Sequence, residues 1–158
     1  MDISFKIPEG KFNYRVCAII IRDNKILAMK DNHADYYYFP GGRVQFGEES
    51  DTAVLRELKE ELGVSAEIVR PLWFVQSFFN EDVLKMDYHE ICIYYLIDVS
   101  KTYLIDTPDT FSGIEQHKGG VFEWLNLDDL KNKYLYPIFI KERIKSIPNT
   151  LEMIIEHQ

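Results

Sequence analysis

Three glutamates crowd one short stretch of the chain: Glu57, Glu60 and Glu61, with Arg56 beside them and Glu48 a little upstream. From Ser50 to Leu62 nothing breaks a helix, Ser50 or Asp51 is placed to cap its start, and Gly63 falls where a left-handed C-terminal cap belongs. At about 100° per residue, Leu55, Leu58 and Leu62 make an apolar stripe and the three glutamates gather on roughly the opposite side. Two like charges ~6 Å apart cost about 3 kcal/mol at an effective dielectric of ~20, and under about 1 kcal/mol in bulk water. Such a cluster is therefore cheap only if solvated or neutralised. On an ordinary amphipathic helix it would simply face solvent. Here it follows Pro40-Gly41-Gly42, where two residues without Cβ allow positive φ and close approach to a ligand. A backbone carbonyl plus helix carboxylates is an all-oxygen donor set, suited to Mg²⁺ or Mn²⁺, with waters and substrate phosphates completing the shell. The partner this chemistry selects is a phosphorylated compound.

Residues 42 to 64 also resemble the signature of the Nudix hydrolases, the MutT-like pyrophosphohydrolases. That pattern is Gly, five residues, Glu, seven residues, Arg-Glu, an aliphatic, one residue, Glu-Glu, one residue, Gly, an aliphatic. Gly42, Glu48, Arg56-Glu57-Leu58, Glu60-Glu61 and Gly63-Val64 fill every fixed position. Just upstream, Tyr37-Tyr38-Phe39-Pro40-Gly41-Gly42 is similar to the family's Trp-x-Leu-Pro-Gly-Gly, with aromatic residues at the Trp and Leu positions. Further on, Gly119 to Leu130 is similar to the strand-then-helix ending of these enzymes. The resemblance implies an α/β (α+β) Nudix-type α/β/α sandwich with a mixed central β-sheet. It also implies hydrolysis of a pyrophosphate bond in a nucleoside diphosphate linked to another group, with Mg²⁺ or Mn²⁺ as cofactor. Carried over by position, Glu57 and Glu61 become the primary metal ligands, Glu60 a further ligand or base, and the Gly42 carbonyl another ligand. Arg56 would orient the carboxylates, and Glu48 would hold Arg56 or a metal-bound water. Family members differ in whether the base comes from this motif or from a distant loop. Glu115 is the loop candidate, its plainer reading being a solvated side chain.

Composition narrows the setting. A chain of 158 residues suits one domain, taken as 1–158 with the motif at 42–64. A net charge of −8 without a basic run argues against tight nucleic-acid binding and for a small nucleotide substrate neutralised by metal. Cys17 and Cys92 lie in apolar runs without metal-ligand spacing, which reads as buried free thiols in a reducing compartment. The first residues lack a signal-peptide core and no apolar run reaches the ~20 residues of a membrane span, so a cytoplasmic protein with no membrane partner is expected. The sequence does not set the oligomeric state, and a homodimer is compatible with it.

The pattern along the chain is strands, one helix, then strands again. Val16 to Ile21 and Lys25 to Lys30 flank Asp23-Asn24 as a hairpin, and Tyr36 to Phe39 reads as a short strand entering the glycines. Val64 to Phe79 and Met86 to Val99 read as long strands, residues 100 to 118 as one long loop, and Val121 to Leu125 as a strand. Leu127 to Lys133, starting near Asn126, and Pro137 to Ile147 read as helices. Base or sugar recognition would draw on Arg15, Tyr37 and Phe39, from a pool that includes Trp73, Phe74, Phe78 and Phe79, although aromatics alternating in strands are more often core. Arg15 could meet a phosphate or form a structural salt bridge. In His89-Glu90 one side chain is expected to be exposed and the other satisfied by a neighbour, while His33 and His117 fall in loops. The default substrate is a nucleoside triphosphate or modified nucleotide. ADP-ribose, nucleotide sugars and dinucleoside polyphosphates are the alternatives, beside a non-catalytic nucleotide-sensing module of the same fold.

Overall fold

In the run Val16-Cys17-Ala18-Ile19-Ile20 every side chain is buried, which requires a strand covered on both faces. The computed structural model, which describes residues 1–115 and 120–158, places this run at the centre of the sheet. Its strand, β2 (Gly10–Arg22), pairs with β1 (Ser4–Ile7) near its start, with β4 (Gly41–Arg43) in its middle and with β3 (Lys25–Lys30) at its end. Along its other edge it runs parallel to β6 (Met86–Asp98). β6 forms an antiparallel hairpin with β5 (Glu67–Glu81), and β5 pairs in parallel with β9 (Glu152–His157). On the opposite flank β3 pairs with β8 (Val121–Asn126), and β8 with β7 (Thr110–Ser112). The sheet is thus mixed, in the order β7-β8-β3-β2-β6-β5-β9, with β1 and β4 paired to β2 off this path.

Each face is covered by helical structure. The helix α1 (Ser50–Leu62) packs Val54, Leu58 and Leu62 against Val16, Ala18, Ile20, Tyr95 and Ile97. On the other face the 3-10 turn Leu127–Asn132 and the short helix α2 (Ile140–Arg143) bring Leu130, Ile140 and Ile144 onto Cys17, Ile19, Trp73 and Tyr94. Full burial of each such side chain is worth about 1.5–3 kcal/mol. Cys17 and Cys92 are buried free thiols, with Sγ atoms 3.6 Å apart. Among the described residues no helix is long and apolar enough to cross a membrane.

Several expectations are corrected. α1 begins at Ser50, so the cap position falls to Glu49, whose side chain makes no cap hydrogen bond; the Ser50 hydroxyl is engaged with the Tyr95 hydroxyl at 2.6 Å and Asp51 accepts the Thr52 N–H at 2.7 Å. Gly63 does close the helix in the left-handed conformation, its N–H donating to the Lys59 carbonyl. Residues 36–39 make only isolated bridges, Tyr38 with Met29 and Tyr37 with Leu135, and the paired strand is the glycine segment itself. The expected long loop contains the 3-10 turn Tyr103–Asp106 and β7. Arg22 ties it down by donating to the carbonyls of Leu104 and Thr107, at 2.9 and 2.8 Å, while lying over the Trp124 ring. The expected helix over 137–147 is α-helical only at Ile140–Arg143. Its flanks close by i to i+3 hydrogen bonds, such as Lys141 to Ile138 and Lys145 to Glu142. His117 and Gly119 lie outside the described residues.

Leu58 is fully buried and Leu55 only partly so. Leu58→Ala is therefore expected to lower stability by about 3 kcal/mol and Leu55→Ala by less than about 1.5 kcal/mol, measured by urea unfolding. Equal losses would show that α1 meets the sheet along a different stripe.

Candidate active site

Neither Gly41 nor Gly42 has positive φ; both are strand residues of β4, paired with Cys17 and Val16. What they require is room. A Cβ on Gly42 would lie 2.2 Å from the carboxyl carbon of Glu57, and one on Gly41 would lie 2.1 Å from the Val16 carbonyl oxygen. The glycines thus let the β4 backbone touch the α1 carboxylate on one side and β2 on the other. The expected reason for glycine, a left-handed turn, is replaced by close approach.

The glutamates divide. Glu57 and Glu61, one turn apart, are 8% and 4% exposed and lie on the buried arc of α1 beside Val54, whereas Glu60 is about half exposed. The picture of three carboxylates opposite the apolar stripe is corrected for two of them. Glu57 is buried because the hollow over Gly42 admits it, and its charge is met by Arg56. Arg56 Nη1 donates to Glu57 Oε1 at 2.9 Å and to Glu60 Oε1 at 3.2 Å. Its Nε and Nη2 grip Glu48 in a two-point pair, at 2.7 and 3.0 Å, and Nη2 also donates to the Arg43 carbonyl at 3.1 Å. Glu48 additionally accepts the Gln45 N–H at 3.0 Å. The hydrogen bonds from Arg56 outweigh burial and hold the Glu48 carboxyl below the usual range, and the same carboxylates push the Arg56 guanidinium up.

Glu115 reaches the same region. It lines a small crevice with Glu61, Met29, Gly113, Gly120 and Phe122. Its loop is fastened to the end of α1 by the Ile114 N–H, which donates to the Glu61 carbonyl at 3.0 Å. Gly113 permits this contact, since a Cβ there would stand 2.8 Å from that carbonyl oxygen and 2.6 Å from the Phe122 ring.

The expected substrate-binding residues are not gathered in one place. Phe39 and Trp73 are buried in the core, leaving no ring face for a ligand, which corrects the reading of Phe39. Tyr37 donates its hydroxyl to Glu123 at 2.6 Å and lies under the Lys30 ammonium, and burial together with that hydrogen bond pushes its phenol up to about 12. Phe78 and Phe79 follow Ser77, the cross-strand neighbour of Glu90, and their rings are engaged, Phe78 stacked on His157 and Phe79 on Tyr88. Arg15 lies on the face away from α1, in register with Arg43 and Cys92. His89 is exposed and Glu90 accepts a hydrogen bond from Asn13. Two features went unread in the sequence. One is Asn13, buried two positions before Arg15; the polar alternation Asn13, Arg15 at the head of an apolar strand was the available signal. The other is the aromatic contact of Tyr36 with Tyr134 and Tyr136, which long-range pairing of Tyr37 with Tyr134 and Tyr136 brings together.

The donor chemistry suits a hard divalent ion. Glu57, Glu61 and the Gly42 backbone all offer oxygen donors, and the Glu57 carboxylate occupies the place a Gly42 Cβ would take. Among the described residues no three His, Cys, Asp or Glu side chains converge closely enough to form a cage.

Because Glu48 titrates low when folded, its stabilising contribution is present above the ordinary carboxylate value of 4.5 and is lost as pH falls through its lower folded value. Glu48→Gln is therefore expected to flatten the acid side of the stability profile. Thermal melts at pH 7 and below pH 4 check this, and an unchanged difference between the two would contradict the Glu48–Arg56 coupling.

The geometry has counterparts in known proteins. A family profile described as NUDIX domain matches residues 11–145. An 8-oxo-dGTP diphosphatase of Buchnera aphidicola is 30% identical over 125 residues, covering 77% of this chain and 82% of that protein. An ADP-ribose pyrophosphatase of Methanocaldococcus jannaschii is 38% identical over 87 residues, covering 53% of this chain and 49% of that one. In fold, the crystal structure of a MutT protein from Bacillus halodurans matches with a TM-score of 0.66 at 15% identity, over 92% of this chain and 89% of that chain. With its motif complete, its glycine strand against Glu57 and the profile matched over most of its length, the chain belongs to the NUDIX domain family.

Proposed function

We propose that the protein is a Mg²⁺-dependent hydrolase that cleaves a pyrophosphate bond in a nucleoside diphosphate linked to another group, with a nucleoside triphosphate or modified nucleotide as substrate. The observation that carries this reading is the contact of Gly42 with the buried Glu57 carboxylate, one helical turn from the buried Glu61. Glu57, Glu61 and the Gly42 carbonyl would hold the ion, with Glu60 at the exposed margin. The ion, when bound, neutralises phosphate charge and acidifies water. Arg56 positions Glu57 and Glu60, and Glu48 fixes Arg56 from the opposite side. Glu115 stands beside Glu61 with a carboxylate able to take a proton from the attacking water. The Buchnera relative, named for a nucleoside triphosphate derivative and matched over most of both chains, favours the triphosphate class over ADP-ribose, whose named relative is matched over about half of each chain.

Glu57→Gln and Glu61→Gln are each expected to lower Mg²⁺-dependent product release from a nucleoside triphosphate at least about 100-fold, while unfolding stability stays within ~1 kcal/mol. Gly42→Ala is expected to lose activity as well, because the added methyl occupies the place of the Glu57 carboxylate. Rates unchanged in the glutamine variants would refute these roles.

A further inference from the structure

On the sheet face away from α1, strand alternation sets polar side chains in two adjoining rows. Ser4, Asn13, Glu90 and Ser77 are cross-strand neighbours in one, and Arg43 and Arg15 in the next. Asn13 is 4% exposed and engaged through both ends of its amide, accepting from the Ser4 hydroxyl at 2.6 Å and donating to Glu90 Oε2 at 3.3 Å. Glu90 and Arg15 differ from it. Both retain solvent contact, and a merely structural pair would close to an ion pair. Instead, among the described residues no carboxylate comes within 4 Å of the Arg15 guanidinium, and Glu90 receives only the single Asn13 hydrogen bond. A charged acceptor and a charged donor thus stand on adjacent strands, within each other's field and unspent on each other. Burial pushes the Glu90 carboxyl up, against the opposing influence of Arg15 and Asn13.

We propose that Glu90 and Arg15 read the base of the substrate, and that the base they read is a guanine-type edge; this rests on the nucleotide-hydrolase reading above. A carboxylate has two oxygens and only accepts, whereas a guanidinium only donates. A guanine edge offers two adjacent N–H groups, N1–H and the N2 amine, next to the O6 acceptor, which is the order the two side chains complement. Cytosine and adenine offer one amine beside an acceptor, and uracil one N–H between two acceptors, so each leaves a Glu90 lone pair or an Arg15 donor unmet. Position is compatible with the phosphate site. Arg15 precedes Val16, the β2 partner of Gly42, and is itself paired with Arg43, the residue after Gly42, while Glu90 pairs with Asn13 two positions before Arg15.

The test uses the full-length wild-type protein and a ligand series, GMP, IMP, AMP and UMP, titrated by calorimetry, alongside initial rates for the matching triphosphates. IMP lacks only the N2 amine. GMP is expected to bind at least about tenfold more tightly than IMP, and more tightly still than AMP or UMP, with the same order in kcat/KM carried by KM. Glu90→Gln, verified as folded by thermal melting, is expected to bring GMP and IMP within about twofold of each other. GMP binding no tighter than IMP or AMP in the wild type overturns the assignment without reference to any variant. So does a Glu90→Gln protein that weakens every ligand equally. Tight guanine-selective binding without hydrolysis of any triphosphate would leave the base assignment standing and overturn the hydrolase reading.

Discussion

The site depends on one guanidinium. Arg56 reaches Glu48, Glu57, Glu60 and the Arg43 carbonyl at once, and so joins α1 to β4 and to the loop between them. A buried carboxylate without such a partner is strongly disfavoured, and two on adjacent turns more so. With Arg56 in place, Glu57 can be held, largely buried, against the Gly42 backbone, where its carboxylate would be one donor to a divalent ion. The glycines and the arginine are two halves of one arrangement: the glycines provide the space, and the arginine makes the charge tolerable within it.

Around this centre each face of β2 carries both a packed layer and polar side chains. Even-numbered residues of β2, Val16, Ala18 and Ile20, carry α1 and its carboxylates, while odd-numbered Cys17 and Ile19 carry the second layer and odd-numbered Asn13 and Arg15 extend it into a polar row. Since side chains alternate along a strand, one strand backs the carboxylates of α1 on one face and the polar row on the other without the two competing for space. The loop bearing Glu115 is positioned by the end of α1, so the elements that could act on a phosphate are referred to a single helix.

What was legible in the sequence was local or fixed by spacing. Gly63 as a C-cap and Asn126 starting the turn after β8 follow from neighbours a few residues away, while the Glu48–Arg56 pair was one of two roles for Glu48 implied by the resemblance to the Nudix signature. What was not legible depends on partners far along the chain. The burial of Glu57 requires β4 to lie against α1, and Glu61 shares a crevice with Met29, Gly113 and Phe122, so that a face that looks solvent-bound is covered. Tyr37 and Phe39 look like stackers until Glu123 and the core claim them. The Asn13–Glu90 contact spans 77 residues, and no window of sequence contains it.

The central claim is that Glu57 and Glu61 hold a divalent ion against a ligand's phosphates. Mn²⁺ binding followed by electron paramagnetic resonance, with a non-hydrolysable nucleoside triphosphate analogue present, measures this without turnover. The account predicts binding by the wild-type protein that weakens at least about tenfold in Glu57→Gln and in Glu61→Gln. Equal Mn²⁺ affinity in all three proteins would contradict it.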